Sequence, residues 1–420
     1  MQIKQTRKSP PKAILTIFLI PLIVLFSTDL TAQAQEFDMM VLPSLTDQKL
    51  DGWYKIPPNS GPRIHKASKI TQGQPFNLFV FFNGYSSDKI NNINIRYDFQ
   101  IFDPAGSPTE DKGSDLVAYQ GPGGESKNLI LSQQFVKIIL TEKYPVGTYK
   151  IKVTAHDKVA GKSISTETPI ELQSFSLPSP FSSQKEAEMW MMGYYNNPEP
   201  IKAIRAVQQL VNTKPEWLKK HKNAITYFQR IFIDNPFVLQ NISNTFDSFS
   251  LEDKKKLLLI AAKVDGASII DITNDPQLVE YFNHAKAIKL PDVSGQINSA
   301  DQLDILWSEF LATGRYEPIN KIISALSLGK HKGTLEKIKS GKIKNITDKI
   351  RQEAYLEATY QSAVWSLISN CSQMPLVFKY CVFIYEHEKL TDDVKGQLGF
   401  ILHTAQKRIQ ERGVNKKSNS

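Results

Sequence analysis

The side chains that most often carry catalysis or bind metals are scattered along this 420-residue chain. Its seven histidines form no HExxH or HxH pair, and the densest group is Glu386, His387 and Glu388. Neighbouring positions on a helix point about 100° apart, so these three side chains do not converge on one ion without ligands from elsewhere. The sequence therefore predicts no metal site and no bound cofactor.

Two loop segments resemble reactive motifs but lack the required spacing. Residues 84–88 (GYSSD) contain serines without a GxSxG motif, so we interpret them as a hairpin loop. Residues 121–127 (GPGGESK) lack the GxxxxGK[ST] spacing of a phosphate-binding loop, which favours a strand connection. A carboxylate pair for glycoside hydrolysis stays open, because sequence separation does not fix distance in the fold. We assign no catalytic residue from the sequence.

The chain has two cysteines, Cys371 and Cys381, with Pro375 between them. On one unbroken helix this spacing would separate them by about 15 Å, which is too far for a disulfide. If Pro375 starts a new helix, the chain can turn back and bring the two sulfurs together. A disulfide and a pair of buried thiols are therefore both open.

The N-terminus predicts export. Four basic residues precede a 14-residue apolar run at positions 13–26, and residues 32–34 (AQA) supply a small-x-small cleavage site. We predict a signal peptide over residues 1–34, cleavage between Ala34 and Gln35, and a periplasmic or secreted protein. The run is short for a bilayer span, so an uncleaved anchor is the lesser alternative, and no later segment is apolar enough to cross a membrane.

Composition and charge limit the class of partner. The chain is 41% apolar and 22% charged, which is typical of a folded globular protein. The net charge is +9, and the densest basic run, residues 330–349, fits a solvated helix face better than a binding site for an anionic surface. Because an exported protein does not ordinarily meet nucleic acid, we expect no nucleic-acid partner.

The first half of the mature chain has a side-chain period of two. Residues 35–73 show little periodicity and are predicted as an extended lead-in. From 74 to 172, apolar and polar residues alternate, as at Ile93, Ile95 and Tyr97, which indicates about seven short strands and an immunoglobulin-like β-sandwich. Residues 145–151 (PVGTYKI) resemble the corner before a late sandwich strand, where a tyrosine hydroxyl bonds to the backbone.

The second half has the period of helices. Residues 173–183 are rich in Ser and Pro and predict a linker, residues 184–412 predict an all-α array of helical hairpins, and residues 413–420 predict a disordered tail. The clearest hairpin covers residues 299–326. Ser299 and Gln302 form a capping-box pattern, Gly314 can end the first helix in a left-handed conformation, and Pro318 is placed to start the second.

The helical half contains an internal echo. Residues 189–207 are similar to residues 306–326, with Pro200 corresponding to Pro318, and residues 235–242 are similar to residues 374–381, with Pro236 corresponding to Pro375. Two divergent copies of one unit would produce this pattern. A general likeness among helix–turn–Pro–helix segments would also produce it, and both interpretations are open.

Three segments carry a family resemblance: GYYNNPEP at 193–200, LDILWSEFLATGRYEPINKII at 303–323 and AVWSLISNCSQMPLVFKY at 363–380. Together they resemble an uncharacterised family of exported bacterial proteins over most of residues 189–385. The resemblance implies an α-helical domain and supplies no activity. The GRYEPINKII stretch also resembles tetratricopeptide hairpins, although Ile319 stands where that repeat prefers Ala.

These observations predict a non-catalytic protein of the bacterial cell envelope that binds another envelope protein as a scaffold or assembly factor. The candidate partner surface is Tyr194, Tyr195, Trp307 and Tyr316, on the concave side of the helical array. Core packing is the alternative for these four aromatic side chains. An envelope hydrolase with an unrecognised active site, or a carrier of an apolar ligand, are the alternative functions. The sequence leaves the oligomeric state open.

Overall fold

A computed structural model describes residues 36–45, 66–123, 129–134, 136–264 and 275–417. The predicted signal peptide and its cleavage site at Ala34 and Gln35 lie outside these residues. A β-rich region of two sheets comes first, and a helical region follows it. Within the described residues, no helix is both long enough and apolar enough to span a membrane.

The β-rich region contains two sheets. Its strands in chain order are β1 (Asp38–Ser44), β2 (Lys69–Thr71), β3 (Pro75–Asn83), β4 (Asn92–Phe102), β5 (Pro108–Pro122), β6 (Ile130–Leu131), β7 (Val136–Ile139), β8 (Gly147–Asp157) and β9 (Lys162–Gln173). Sheet A has the order β1-β3-β6, with β7 also paired to β3, and sheet B has the order β2-β9-β8-β4-β5. β2 pairs with β9 in parallel, whereas the other pairs are antiparallel.

The two sheets share one apolar core. Alternate side chains of β4, including Ile95 and Tyr97, point into this core, as the period of two predicts. β3 is buried on both faces, because Phe79 and Phe81 pack with Leu131 on the side away from the shared core. A strand buried on both faces reads as a continuous apolar run, which explains the unbroken hydrophobic stretch of β3.

The predicted tyrosine corner is present at the start of β8. The hydroxyl of Tyr149 donates a hydrogen bond to the carbonyl oxygen of Pro145 at 2.8 Å. The ring of Tyr149 is buried in the shared core, and burial raises the pKa of its hydroxyl. This bond satisfies the polar end of a large buried side chain.

The helical region contains thirteen α-helices among the described residues. They are α1 (Gln184–Gly193), α2 (Lys202–Leu210), α3 (Pro215–Lys220), α4 (Lys222–Asp234), α5 (Phe237–Ile242), α6 (Leu251–Ala261), α7 (Pro276–Ala287), α8 (Ala300–Thr313), α9 (Tyr316–Ser324), α10 (Thr334–Lys339), α11 (Asp348–Gln373), α12 (Pro375–His387) and α13 (Asp392–Lys417). Short 3-10 segments follow α5 at Ser243–Ser248 and α9 at Ala325–His331.

The α8–α9 hairpin forms largely as its caps predict. Both bonds of the Ser299–Gln302 capping box are present, and Gly314 ends α8 with a φ of 66°. Its partner helix α9 begins at Tyr316 rather than at Pro318. Pro318 still lies in the first turn, where its missing N–H removes no bond within the helix.

Two apolar cores lie inside the helical region. One is built mainly from α2 and α4–α7, and the other from α8, α9 and α11–α13. α4 packs on α8, and Leu311 of α8 contacts both cores. The order of elements also repeats, with a hairpin, a short helix, a longer helix, and then a helix that starts at or just after a proline, at Pro236 or Pro375. This repeated order favours the two-copy interpretation of the internal echo.

Two boundaries differ from those predicted, and one strand was not predicted. β1 and β2 lie within the predicted lead-in of residues 35–73, so the β-rich region begins at Asp38. β5 was not predicted because it carries mainly polar residues, and its apolar residues are consecutive at 116–119 instead of alternating. α13 continues to Lys417, so residues 413–417 of the predicted disordered tail are helical.

Replacing Gly314 with alanine should lower the free energy of unfolding by about 1–2 kcal/mol, because a side chain is disfavoured in the left-handed region. Gly295 is the matched control, since its φ is not positive and an added Cβ would meet no atom within 4 Å. Gly295→Ala should change that free energy by less than about 0.5 kcal/mol. Urea denaturation followed by circular dichroism measures both variants, and equal effects would contradict the role of the left-handed cap.

Candidate functional site

The four aromatic residues of the predicted partner surface lie inside the helical region. Tyr194, Tyr195 and Trp307 are 3%, 4% and 9% exposed, and Tyr316 is half-buried. The ring of Phe310 packs at 5.0 Å from Tyr195 and at 6.2 Å from Trp307, measured between ring centroids. These side chains fill the helical cores, so the exposed surface predicted from them does not form.

Two tyrosine hydroxyls tie the α8–α9 hairpin to α12. Tyr380 of α12 donates to the carbonyl oxygen of Gly314 at 2.9 Å, and Tyr316 donates to the carboxylate of Glu388 at 3.1 Å. Burial raises the pKa of both hydroxyls, so they remain neutral donors. The rings of Tyr316 and Tyr380 also meet edge to face at 5.5 Å.

Cys371 at the end of α11 and Cys381 in α12 lie side by side as two thiols. The break at Pro375 turns the chain back, so that the two sulfurs are 3.5 Å apart. Both side chains are buried, and the hydrogen bond with Cys371 together with burial raises the pKa of Cys381. A buried thiol with a raised pKa is a poor nucleophile, so the pair contributes packing rather than reactivity.

An ion-pair clamp joins the two halves of the helical region. Arg230 and Asp234 of α4 lie 2.8 Å apart, and Arg315, next to the Gly314 cap, lies 3.3 Å from the same carboxylate. All three side chains are less than a third exposed, so the clamp is less screened by solvent than a surface ion pair. Asn77 and Lys137 of sheet A line a cavity beside this clamp.

The cavities around the clamp are small. The cavity next to sheet A measures about 40 Å³, which suits a water molecule rather than a ligand. A second cavity, of about 260 Å³, contains Glu309, whose pKa is raised by burial against the opposing effect of Arg230, Lys321 and Arg315. Ligand sites usually enclose about 300–1,000 Å³, so we assign the clamp a structural role.

A larger groove lies between α11 and α13, and we call it the α11–α13 groove. It measures about 500 Å³ and is lined by Tyr360 and Val364 of α11, by Phe400 and the Asp392–Asp393 pair of α13, and by Lys332. Further along, Arg412 of α13 donates to the carbonyl oxygen of Ser372 at 3.2 Å, so the two helices run in the same direction.

Large aromatic side chains are exposed on these two helices. Phe400 is 62% exposed, Trp365 is 69% exposed and Tyr355 is 56% exposed. Elsewhere in the helical region, aromatic side chains such as Phe310 and Tyr380 are buried in the cores. Aromatic residues left in contact with solvent are typical of surfaces that bind a protein.

The groove carries negative charge at the start of α13 and positive charge at Lys332. Asp392 and Asp393 are exposed in the first turn of α13, where the helix dipole favours negative charge. Lys332 places its ammonium group 4.8 Å from the centroid of the Tyr360 ring. Among the described residues, no group of three or more His, Cys, Asp or Glu side chains is arranged to hold a metal ion.

The sequence does not predict the groove, because a helical period identifies α11 and α13 but not which of their faces pack together. Trp365 lies inside the segment that carries the family resemblance, but its exposure depends on where α11 meets its neighbours. A helical projection of α11 places Trp365 and Tyr355 opposite the buried Ala363, Leu367 and Cys371, so these two side chains are exposed without lining the groove.

Alkylation of the denatured protein without a reductant should add two adducts, because the structure contains two free thiols. The native protein should react slowly, since both sulfurs are buried. Intact-mass measurement distinguishes the states. If the denatured chain takes no adduct before reduction and two afterwards, the cysteines form a disulfide instead.

Asp234→Ala should lower the free energy of unfolding by about 2–3 kcal/mol, because it leaves two partly buried arginines without this partner. Asp348→Ala is the matched control, since Asp348 pairs with Arg351 but its side chain is 96% exposed. That control should cost less than about 1 kcal/mol. Chemical denaturation of both variants gives the comparison, and a similar loss in each would remove the clamp as a structural link.

Comparisons with known proteins do not place this chain in a family. No protein-family model matches it, and no curated protein matches it. Among solved structures, a Niemann-Pick type C2 protein from Japanese carpenter ant has a TM-score of 0.20 and 10% identity, over 33% of this chain and 92% of that chain. A family 123 glycoside hydrolase from Clostridium perfringens has a TM-score of 0.20 and 10% identity, over 46% of this chain and 36% of that one. Likenesses this low carry no argument about fold or function, and the family resemblance of residues 189–385 stays a prediction.

Proposed function

We propose that this protein is a binding and scaffold protein of the bacterial cell envelope, and that its helical region holds a partner protein in the α11–α13 groove. The observation that carries the proposal is Phe400, which lines this groove and is 62% exposed. Burying an aromatic side chain of this size stabilises a complex by about 1.5–3 kcal/mol, so Phe400 can act as an anchor of the interface.

The chemistry of the groove points to one kind of occupant. Tyr360, Val364 and Phe400 offer apolar surface, and the exposed Asp392 and Asp393 add negative charge to the lining. A partner segment that presents an apolar side chain next to a lysine or arginine would match both features. The groove is the right size for one or two such side chains, as its volume lies within the range of ligand sites.

The β-rich region is proposed to have an immunoglobulin-like topology. The order β2-β9-β8-β4-β5 in sheet B, with β2 parallel to β9, supports this proposal, as does the Tyr149–Pro145 corner. Export to the periplasm or beyond is part of the same proposal and is supported by the leader of residues 1–34. Neither feature identifies the partner.

The test is affinity capture from envelope extract, followed by titration of the purified partner against variants. Phe400→Ser should weaken the complex by about 10-fold or more, because it removes an exposed aromatic anchor. Reversing both charges, with Asp392→Lys and Asp393→Lys together, should also weaken it. Ile90→Ser is the matched control, since Ile90 is 78% exposed but lies in the β-rich region.

The control should bind with the affinity of the wild type. A partner that binds the wild type and the Phe400 variant equally would reject the groove as its site. A partner whose cross-linked segment contains no basic residue would reject the proposed charge match.

A further inference from the structure

Three polar side chains form a hydrogen-bonded line across the outer face of sheet B. Nδ1 of His156 lies 2.8 Å from Oγ of Ser163, and Nε2 of His156 lies 3.0 Å from a carboxylate oxygen of Asp98. They come from the adjacent strands β4, β8 and β9, and the strand register sets His156 directly opposite Ser163. This is the set of side chains that activates a serine for attack on a carbonyl carbon.

The hydrogen bonds of this line place the proton of His156 on Nε2 and leave Nδ1 free to accept the proton of Ser163. A carboxylate only accepts hydrogen bonds, so Nε2 of His156 donates to Asp98 and Nδ1 is left to accept from the Ser163 hydroxyl. Partial burial alone would raise the pKa of Asp98, but hydrogen bonds from the Asp115 N–H and from His156 outweigh it and lower that pKa. Asp98 therefore stays ionised and can stabilise a protonated His156.

The hairpin between β8 and β9 holds the line in position. Asp157, the last residue of β8, is 1% exposed and accepts hydrogen bonds from the N–H groups of Val159 and Ala160 within the turn. It also accepts from the N–H of Ser86 in the loop after β3, which connects the turn to sheet A. A rigid turn fixes the separation of His156 and Ser163, which lie on either side of it.

We propose that Ser163 is an activated nucleophile that takes acyl groups from esters, with His156 as its general base and Asp98 as a positioning residue. This inference concerns the β-rich region and does not depend on the binding function proposed for the helical region. Ser163 is exposed and no described residue covers it, so the acyl group can belong to a large substrate.

Transfer of an acyl group from an ester to Ser163, and then to water, needs no other reagent. The Ser163 oxygen forms a bond to the acyl carbon while its proton passes to Nδ1 of His156, and the ester C–O bond breaks. The alcohol leaves with the proton from His156. Water then attacks the acyl-serine with the same base, which releases the carboxylic acid and restores Ser163.

The outer edge of β9 can supply hydrogen bonds to the oxyanion. β2 pairs with β9 only at Glu171–Gln173, and no other described strand pairs with the edge of β9 next to Ser163. Alternate backbone N–H groups of an edge strand point away from the sheet, so either Ser163 or Ile164 presents one to solvent. A backbone N–H at or next to the nucleophile is the usual donor for this purpose.

The chain contains a matched control on the same strand. Ser165 lies two residues after Ser163 on the same face, and its hydroxyl bonds to Thr154 at 2.8 Å rather than to a histidine. A cross-strand bond of that kind is purely structural. Ser165 therefore has the exposure and backbone of Ser163 without the base.

The test treats the full chain with a fluorophosphonate probe and locates the adduct by peptide mass spectrometry. Ser163 forms the bond to phosphorus and fluoride leaves, so the adduct reports nucleophilicity directly. Labelling should occur at Ser163, vanish in Ser163→Ala, persist in Ser165→Ala, and slow by on the order of 100-fold in His156→Gln. Absence of an adduct at Ser163, or equal labelling of Ser163 and Ser165, would overturn the proposal.

The labelling rate and the ¹⁵N NMR signals of His156 together distinguish a positioning role of Asp98 from a purely structural one. Asp98→Asn should slow labelling and shift the ¹⁵N NMR signals of His156 away from the tautomer with its proton on Nε2. Asp98→Glu should restore part of the labelling rate, because it returns a carboxylate. Unchanged ¹⁵N signals in a folded Asp98→Asn variant would overturn the positioning role.

Discussion

The left-handed turn at Gly314 is the constraint on which the arrangement of the helices depends. Its φ of 66° sets the direction in which α9 leaves α8, and its carbonyl oxygen accepts the hydrogen bond from Tyr380 of α12. The next residue, Arg315, pairs with Asp234 of the first helical half. One turn therefore fixes the relation between the two apolar cores, and the clamp cavity beside it is also lined by Asn77 and Lys137 of sheet A.

This arrangement uses most of the aromatic side chains for packing. Tyr195, Trp307 and Phe310 fill the space around α8, and Tyr316 and Tyr380 fill the space between α9 and α12. The surface proposed to bind a partner therefore lies on helices with an unoccupied face. α11 and α13 have such faces, because each of them is 26 residues long and packs on its neighbours along one side.

The elements with a regular period could be predicted from the sequence. Residues 300–313 were predicted as a helix, and α8 has those bounds because a capping box and a left-handed glycine mark both ends. Alternation likewise predicted the strand that contains Ile93, Ile95 and Tyr97, which is β4. β5 was missed because an exposed edge strand does not need apolar residues at every second position.

The candidate sites could be predicted less well, because each depends on the distance between segments far apart in the chain. The sequence left open whether Trp307 belongs to a surface or to the core, because its burial depends on which helices pack against α8. Asp98 and His156 are separated by 58 positions, and only the pairing of β4 with β8 brings them together. His156 and Ser163 flank the turn between β8 and β9, so a hairpin assigned to this segment would have placed them opposite each other.

The outer edge of sheet B, formed by β5, has a consequence for solubility. β5 is the outermost strand there, it is 15 residues long, and a long exposed edge is a template on which other chains can add strands. Its pairing with β4 is interrupted by three register shifts, and Asp115 lies at a φ of 52°. The strand also carries charges, at Glu110, Asp111 and Lys112 among others. Gln133 and Gln134 also bond to the backbone of β5 at Val117, Ala118 and Gln120, so part of this edge is already occupied. Irregular backbone, charge and these bonds together oppose edge-to-edge addition.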